Sequence, residues 1–103
     1  MKPPPMPAAV KVGPHVYRVL LVAAQMPKID GETPNACIDL DALTVKVAAR
    51  LRRSKMQELS LHEFLHAMWP KGYGFEEELV TALAPRLLQL LRDNPELVRY
   101  LTS

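Results

Sequence analysis

His62-Glu63-Phe64-Leu65-His66 decides the reading of this chain. It is an H-E-x-x-H run inside a stretch whose apolar positions, Leu61, Phe64, Leu65 and Met68, recur at helical spacing. On a helix, positions i and i+4 share one face, so the two imidazoles can meet one metal ion. Glu63 lies about 100° round from His62, within reach of a water at that ion. The flanks (Leu59, Leu61, Ala67, Met68, Trp69) are apolar, so the helix is predicted to be largely buried. Burying two histidines and a carboxylate without partners costs several kcal/mol, and a metal removes that objection. The run therefore predicts a Zn2+ site with His62 and His66 as ligands and Glu63 as general base.

Working outward, Ser54-Lys55-Met56-Gln57 fits a capping box and predicts that the helix begins at Ser54. Pro70 restricts Trp69 and should close it. Lys71-Gly72-Tyr73-Gly74 reads as a flexible loop. A second helix is predicted from about Phe75 to Arg92, with a stripe of Val80, Leu83, Leu87 and Leu91 and with Leu79 and Leu90 beside it. Pro85 should kink it or split it in two. Asp93-Asn94-Pro95 should stop it, and Glu96 to Leu101 adds a last turn.

Catalytic zinc takes three protein ligands. The extended pattern H-E-x-x-H-x-x-G-x-x-H fails here, because Trp69 stands at the glycine place and Gly72 at the last histidine. The remaining histidine, His15, belongs to the N-terminal arm. Glu76-Glu77-Glu78 opens the second helix and is the best source of the third ligand. At 100° per residue, Glu76 points into the core face, Glu77 lies at its edge and Glu78 faces away. Glu76 and Glu77 both remain candidates. Thr81 and Ala84, below Glu77, are small enough to leave room for the histidine helix. Tyr73, on the intervening loop, is either a hydrogen-bond donor to an oxyanion or a tyrosine capping the core.

Upstream, residues 1–14 hold five of the ten prolines and read as an extended or disordered arm outside the core. Val16 to Ala24 is β-branched and apolar, the pattern of a buried strand. Residues 25–36 form a loop with a tight turn at Asp30-Gly31. Ile38 to Asp41 and Leu43 to Val47 alternate apolar and polar residues, as short strands do. Two or three strands pairing into a small sheet follow, with residues 43–47 as an edge that adds an extended peptide as a further strand.

At 103 residues, with 49% hydrophobic and 23% charged residues, the chain is one globular domain. The net charge of +2 does not argue for nucleic acid. Arg50, Arg52, Arg53 and Lys55 cluster without interleaved aromatic residues and read as a solvated face. The single cysteine, Cys37, excludes an intrachain disulfide and is expected to be a small apolar residue. No apolar stretch is long enough to span a bilayer, and Met1 to Pro5 lacks the apolar segment of a secretory signal. A cytoplasmic protein with no membrane partner is expected.

Leu61-His62-Glu63-Phe64-Leu65-His66-Ala67, the glutamate-rich helix start and Arg92-Asp93-Asn94-Pro95 resemble the small metallopeptidases of phages and prophages. More broadly, residues 16–101 resemble minimal zincins with a glutamate third ligand, including the ImmA/IrrE type. The resemblance implies a small sheet over the active-site helix, zinc on His62 and His66, and Glu63 as base. It also implies a host cytoplasm where the gene is phage-borne. Only about ten residues separate His66 from the glutamates, which leaves little room for a specificity domain.

The expectation is an α+β domain over residues 15–103, with a kinked C-terminal helix bringing in the third ligand. Its function is hydrolysis of a protein or peptide substrate. The alternatives are a non-catalytic zincin-like module and, with less support, a nucleic-acid-associated protein.

Overall fold

The computed structural model describes residues 3–24 and 26–103; Met1 and Lys2 of the expected arm and Gln25 of the expected loop lie outside them. The elements run β1 (Ala9–Val12), β2 (His15–Val22), β3 (Ala36–Asp39), β4 (Thr44–Ala48), α1 (Arg53–Met68), α2 (Glu76–Asp93) and α3 (Pro95–Leu101). The class is α+β, as the sequence pattern implies. The sheet is mixed, in the order β1-β2-β4-β3. β2 and β4 are parallel, while β1 and β3 pair antiparallel on the two flanks.

Residues 9–12, expected in the proline-rich arm, form β1 instead. The prolines lie at positions 3, 4, 5, 7 and 14 and leave Ala9-Val10-Lys11-Val12 free to alternate. Gly13 takes a φ of 57° and, with Pro14, turns the chain so that Val12 pairs with His15. Proline in that turn withdraws no ladder donor. The arm is thus shorter than residues 1–14, and the domain begins near Ala9.

β2 is not buried on both faces. Tyr17 and Val19 point inward, while Val16, Arg18 and Leu20 are exposed. Helices cover only one side of the sheet, so the apolar run of β2 meets a partner on that side alone. Val45 and Val47 of β4 are fully buried and, with Tyr17, form the centre of the core. β4 is therefore a central strand, and the expected edge at residues 43–47 is corrected: it is hydrogen-bonded on both sides, and the edges are β1 and β3. The Asp30-Gly31 turn forms as expected. Ile29 and Glu32 exchange main-chain bonds of 2.8 and 3.0 Å across it, with φ of 52° and 81° at the two central residues. Those angles suit Asp-Gly and few other pairs.

α1 begins at Arg53 with Arg52 as its cap, and no side chain caps it. Ser54 sits two places beyond the cap, inside the first turn, and so does not serve as the expected cap. Trp69 leaves the helix in an extended conformation before Pro70, as predicted. α1 is the middle layer. Met56, Phe64 and Ala67 pack on the sheet, and Leu61 and Leu65 pack on α2. Met68, placed in the core stripe by its spacing, is exposed.

α2 runs unbroken through Pro85 rather than splitting. It docks on α1 through Val80, Ala84 and Leu87; Val80 and Leu87 belong to the expected stripe, whereas Leu83 of that stripe is exposed. Ala84 is small and lets the helices approach, which rotates Leu79, Leu83 and Leu90 outward. α2 packs on α1 and α3 but not on the sheet. α3 supplies the expected final helix after Asn94. No helix of the described residues is long and apolar enough to cross a membrane.

Candidate metal centre

Two short segments build the site. The first is the middle of α1, where helical spacing stacks His62 and His66 on one face and turns Glu63 inward. The second is the first turn of α2, where Glu76 and Glu77 begin the helix. The loop between them is held by Trp69, whose indole Nε1 donates to the Tyr73 carbonyl at 2.9 Å. Phe75 then takes a left-handed φ of 58°, uncommon for a bulky residue, and starts α2 by accepting the Leu79 amide at 2.9 Å.

The donor atoms converge. His62 Nε2 and His66 Nε2 are 3.2 Å apart. Glu77 Oε2 lies 2.7 Å from His66 Nε2, and Glu77 Oε1 lies 3.3 Å from His62 Nε2. Ligands at about 2.0–2.1 Å from a tetrahedral zinc stand roughly 3.3–3.4 Å from one another. Two of the three separations match that value, and the third closes to hydrogen-bond length. Among the described residues this is the one group of three or more His, Cys, Asp or Glu side chains with metal-site geometry. The residues present therefore fit zinc.

Glu76 does something different. Its Oε2 lies 2.6 Å from His66 Nδ1, on the far side of the ring from the cluster. A carboxylate there accepts from Nδ1–H, fixes that tautomer and leaves Nε2 free to bind an ion. Of the two candidates left open by the sequence, Glu77 joins the donor set and Glu76 orients a ligand. Thr81, one turn on from Glu77, donates its hydroxyl to Glu77 Oε1 at 3.3 Å. That role was readable only as an i, i+4 relation on the helix.

Glu63, Glu76 and Glu77 place three carboxylates around two imidazoles. Burial pushes the His66 proton affinity down, but the Glu76 hydrogen bond and the Glu77, Glu63 and Glu76 charges outweigh it, so its pKa is raised. These carboxylates favour a cation at the imidazoles, whether a proton or a metal ion. Glu63 is only 8% exposed. Burial raises its pKa, with His66 opposing and Glu77 adding to the rise. A carboxylate shifted toward neutrality is a stronger base than an exposed one.

The cluster opens into a cleft of about 340 Å3 bordered by Ile29, Ala36, Ile38 and Leu40, as well as by Glu63 and the ligands. His62 and His66 are 17% and 16% exposed in their side chains, whereas Glu77 is 66% exposed at the mouth. Other predicted residues lie elsewhere. Tyr73 is exposed and does not border the cleft, so it neither reaches an oxyanion nor caps the core. His15 opens β2 and Glu78 is exposed on α2; neither joins the cluster. Cys37 is half-buried, and its thiol pKa is raised by burial first and by Glu63 second. In the basic run, Arg50 donates to Asn35 Oδ1 at 2.6 Å and Lys55 pairs with Glu58 at 3.1 Å, so both are engaged within the chain.

Compared with protein-family models, curated proteins and solved structures, the chain matches none.

Proposed function

We propose that this chain is a zinc-dependent peptidase of the minimal zincin type, acting on a protein or peptide in the cytoplasm. The observation that carries the reading is the meeting of His62 Nε2, His66 Nε2 and a Glu77 carboxylate oxygen beside the buried Glu63. His62, His66 and Glu77 hold the ion in this reading. When bound, it supplies Lewis-acid polarisation of the scissile carbonyl and a lowered pKa for the attacking water.

The chain's own groups do the rest. Glu63 takes a proton from the water and returns it to the leaving amine, and its raised pKa suits both halves of that task. Glu76 holds the His66 ring through Nδ1, so the ligand stays aimed. Thr81 steadies Glu77. The edge of β3, which borders the cleft, presents main-chain groups that pair with an extended substrate.

Metal content and cleavage test the reading together. Protein purified without added zinc should carry close to one zinc per chain, and His62→Ala, His66→Ala and Glu77→Ala should lose it. Wild-type protein should cleave members of a random peptide pool, while Glu63→Gln keeps zinc and cleaves none. A folded wild type with no zinc overturns the reading. Zinc at one per chain with no cleavage by wild type moves the chain to the non-catalytic module.

A further inference from the structure

β3 is an edge strand, and its ladder has a definite phase. The bond from Ala48 N to Asn35 O, 2.8 Å long, makes 35 and 48 a hydrogen-bonded pair. By alternation, Cys37 and Asp39 turn their main-chain groups toward β4, while Ala36 and Ile38 turn theirs to the open edge. The side chains alternate too. Ala36 and Ile38 pack on the core beneath α1, so Cys37 and Asp39 face the opposite side of the sheet.

That opposite side holds a second hollow, of about 750 Å3, bordered by Arg18, Leu20, Pro27 and Lys46. Ile29, Cys37, Ile38 and Leu40 border both this hollow and the metal cleft. The edge of β3 thus separates two hollows. A strand laid along it sends alternate side chains to each.

The row of side chains on the outer face reads Leu20, Lys46, Cys37 across β2, β4 and β3. Its next place belongs to the added residue opposite Cys37. Lys46 has no ion-pair partner among the described residues. Cys37 is short and lies between Lys46 and the edge, and the positive charge of Lys46 acts on its thiol. Two strand spacings of about 4.8 Å separate Lys46 from the added residue, a gap that a lysine and a glutamate span together. One row further on, the Asp39 carboxylate accepts the amides of Asp41 and Ala42 at 3.0 and 2.9 Å and stays at the edge. It disfavours an acidic neighbour.

The geometry points to Lys46 as a specificity-determining residue: the β3 edge receives an extended, largely apolar peptide with an acidic side chain opposite Cys37. This deepens the peptidase reading and rests on it for what happens at the metal. The recognition step is separable from cleavage. The test uses zinc-loaded Glu63→Gln protein and fluorescent seven-residue peptides of valine and threonine, each with one Glu or one Lys at successive positions.

At one position the Glu peptide should bind about fivefold more tightly than its Lys counterpart, the effect of one partly exposed charge pair. Lys46→Met should abolish that preference, and Lys46→Glu should reverse it. The amide resonances of Ala36 and Ile38 should shift on binding. Equal affinity for Glu and Lys peptides at every position, no binding of either, or an unchanged preference in Lys46→Met each overturns the assignment. The same peptides titrated into metal-free protein keep the two questions apart, since loss of zinc strikes the catalytic reading and leaves the charge preference measurable.

Discussion

Glu76 and Glu77 are neighbours in sequence and face the same imidazole from opposite sides. Their substitutions should separate cleanly. Glu77→Ala removes a donor from the cluster and should abolish stoichiometric zinc. Glu76→Ala should keep one zinc per chain but weaken its affinity by about 10–100-fold, as loss of an orienting carboxylate does. Equilibrium dialysis of the two variants checks this, and equal losses would contradict the division of roles. Phe75 offers a second case. It holds a left-handed conformation and is 79% exposed, so little packing rewards it. Phe75→Asn should raise stability by about 0.5–1 kcal/mol, measured by urea unfolding, because Asn accepts that conformation more readily. The placing of His62, Glu63 and His66 is legible in the sequence because one helix fixes their spacing. That of Glu76 and Glu77 is not, because rotamers and a connecting loop decide which oxygen meets which nitrogen. Cys37 was expected to be apolar in character, and its raised thiol pKa agrees. Its alkylation should therefore climb with pH later than that of a free cysteine, and a profile centred at or below about 8.5 would contradict this.

At the scale of elements, α1 carries two different loads. Phe64 and Ala67 answer to the sheet, and Leu61 and Leu65 answer to α2. Leu65 is 8% exposed and packs against Val80 and Ala84. Leu65→Ala should cost about 2–5 kcal/mol by opening a cavity at that contact. It should also weaken zinc binding, because Glu77 rides on the displaced helix. The helices were readable from period and breakers. The strand order was not: β4 looks like an edge because its alternation is clean, yet order depends on which distant segments pair. β1 was hidden for a simpler reason, since prolines on both sides of Ala9–Val12 gave the whole segment the composition of an arm. In the α2 stripe Val80 and Leu87 hold but Leu83 gives way to Ala84, because a run with leucine at several phases leaves the docking angle to the smallest residue.

For the whole molecule, zinc should act as a clasp between α1 and α2. Ligand bound to the folded chain at about 100 times its dissociation constant adds roughly 2.7 kcal/mol. The pH dependence follows from His66. Its raised pKa in the metal-free fold gives stability that is fully present below the unfolded value, near 6.5, and is lost as pH rises through the folded value. Zinc must displace that proton, so its own contribution grows as pH rises. The difference in Tm between zinc-loaded and metal-free protein should widen from pH 5 to pH 8, and a constant difference would count against the site.

The layering has a kinetic side. α2 rests on α1 and α3 rests on α2, and neither touches a strand among the described residues. The seam between α1 and α2 is therefore where local opening is expected first. Residues 76–101 should open as one unit while the sheet and α1 stay closed, and amide exchange should then report two populations. Chelation should speed exchange in that unit first. If bound peptide leaves by the same motion, the pace of turnover is set by how often a helical hairpin lifts, rather than by how fast a bond is broken.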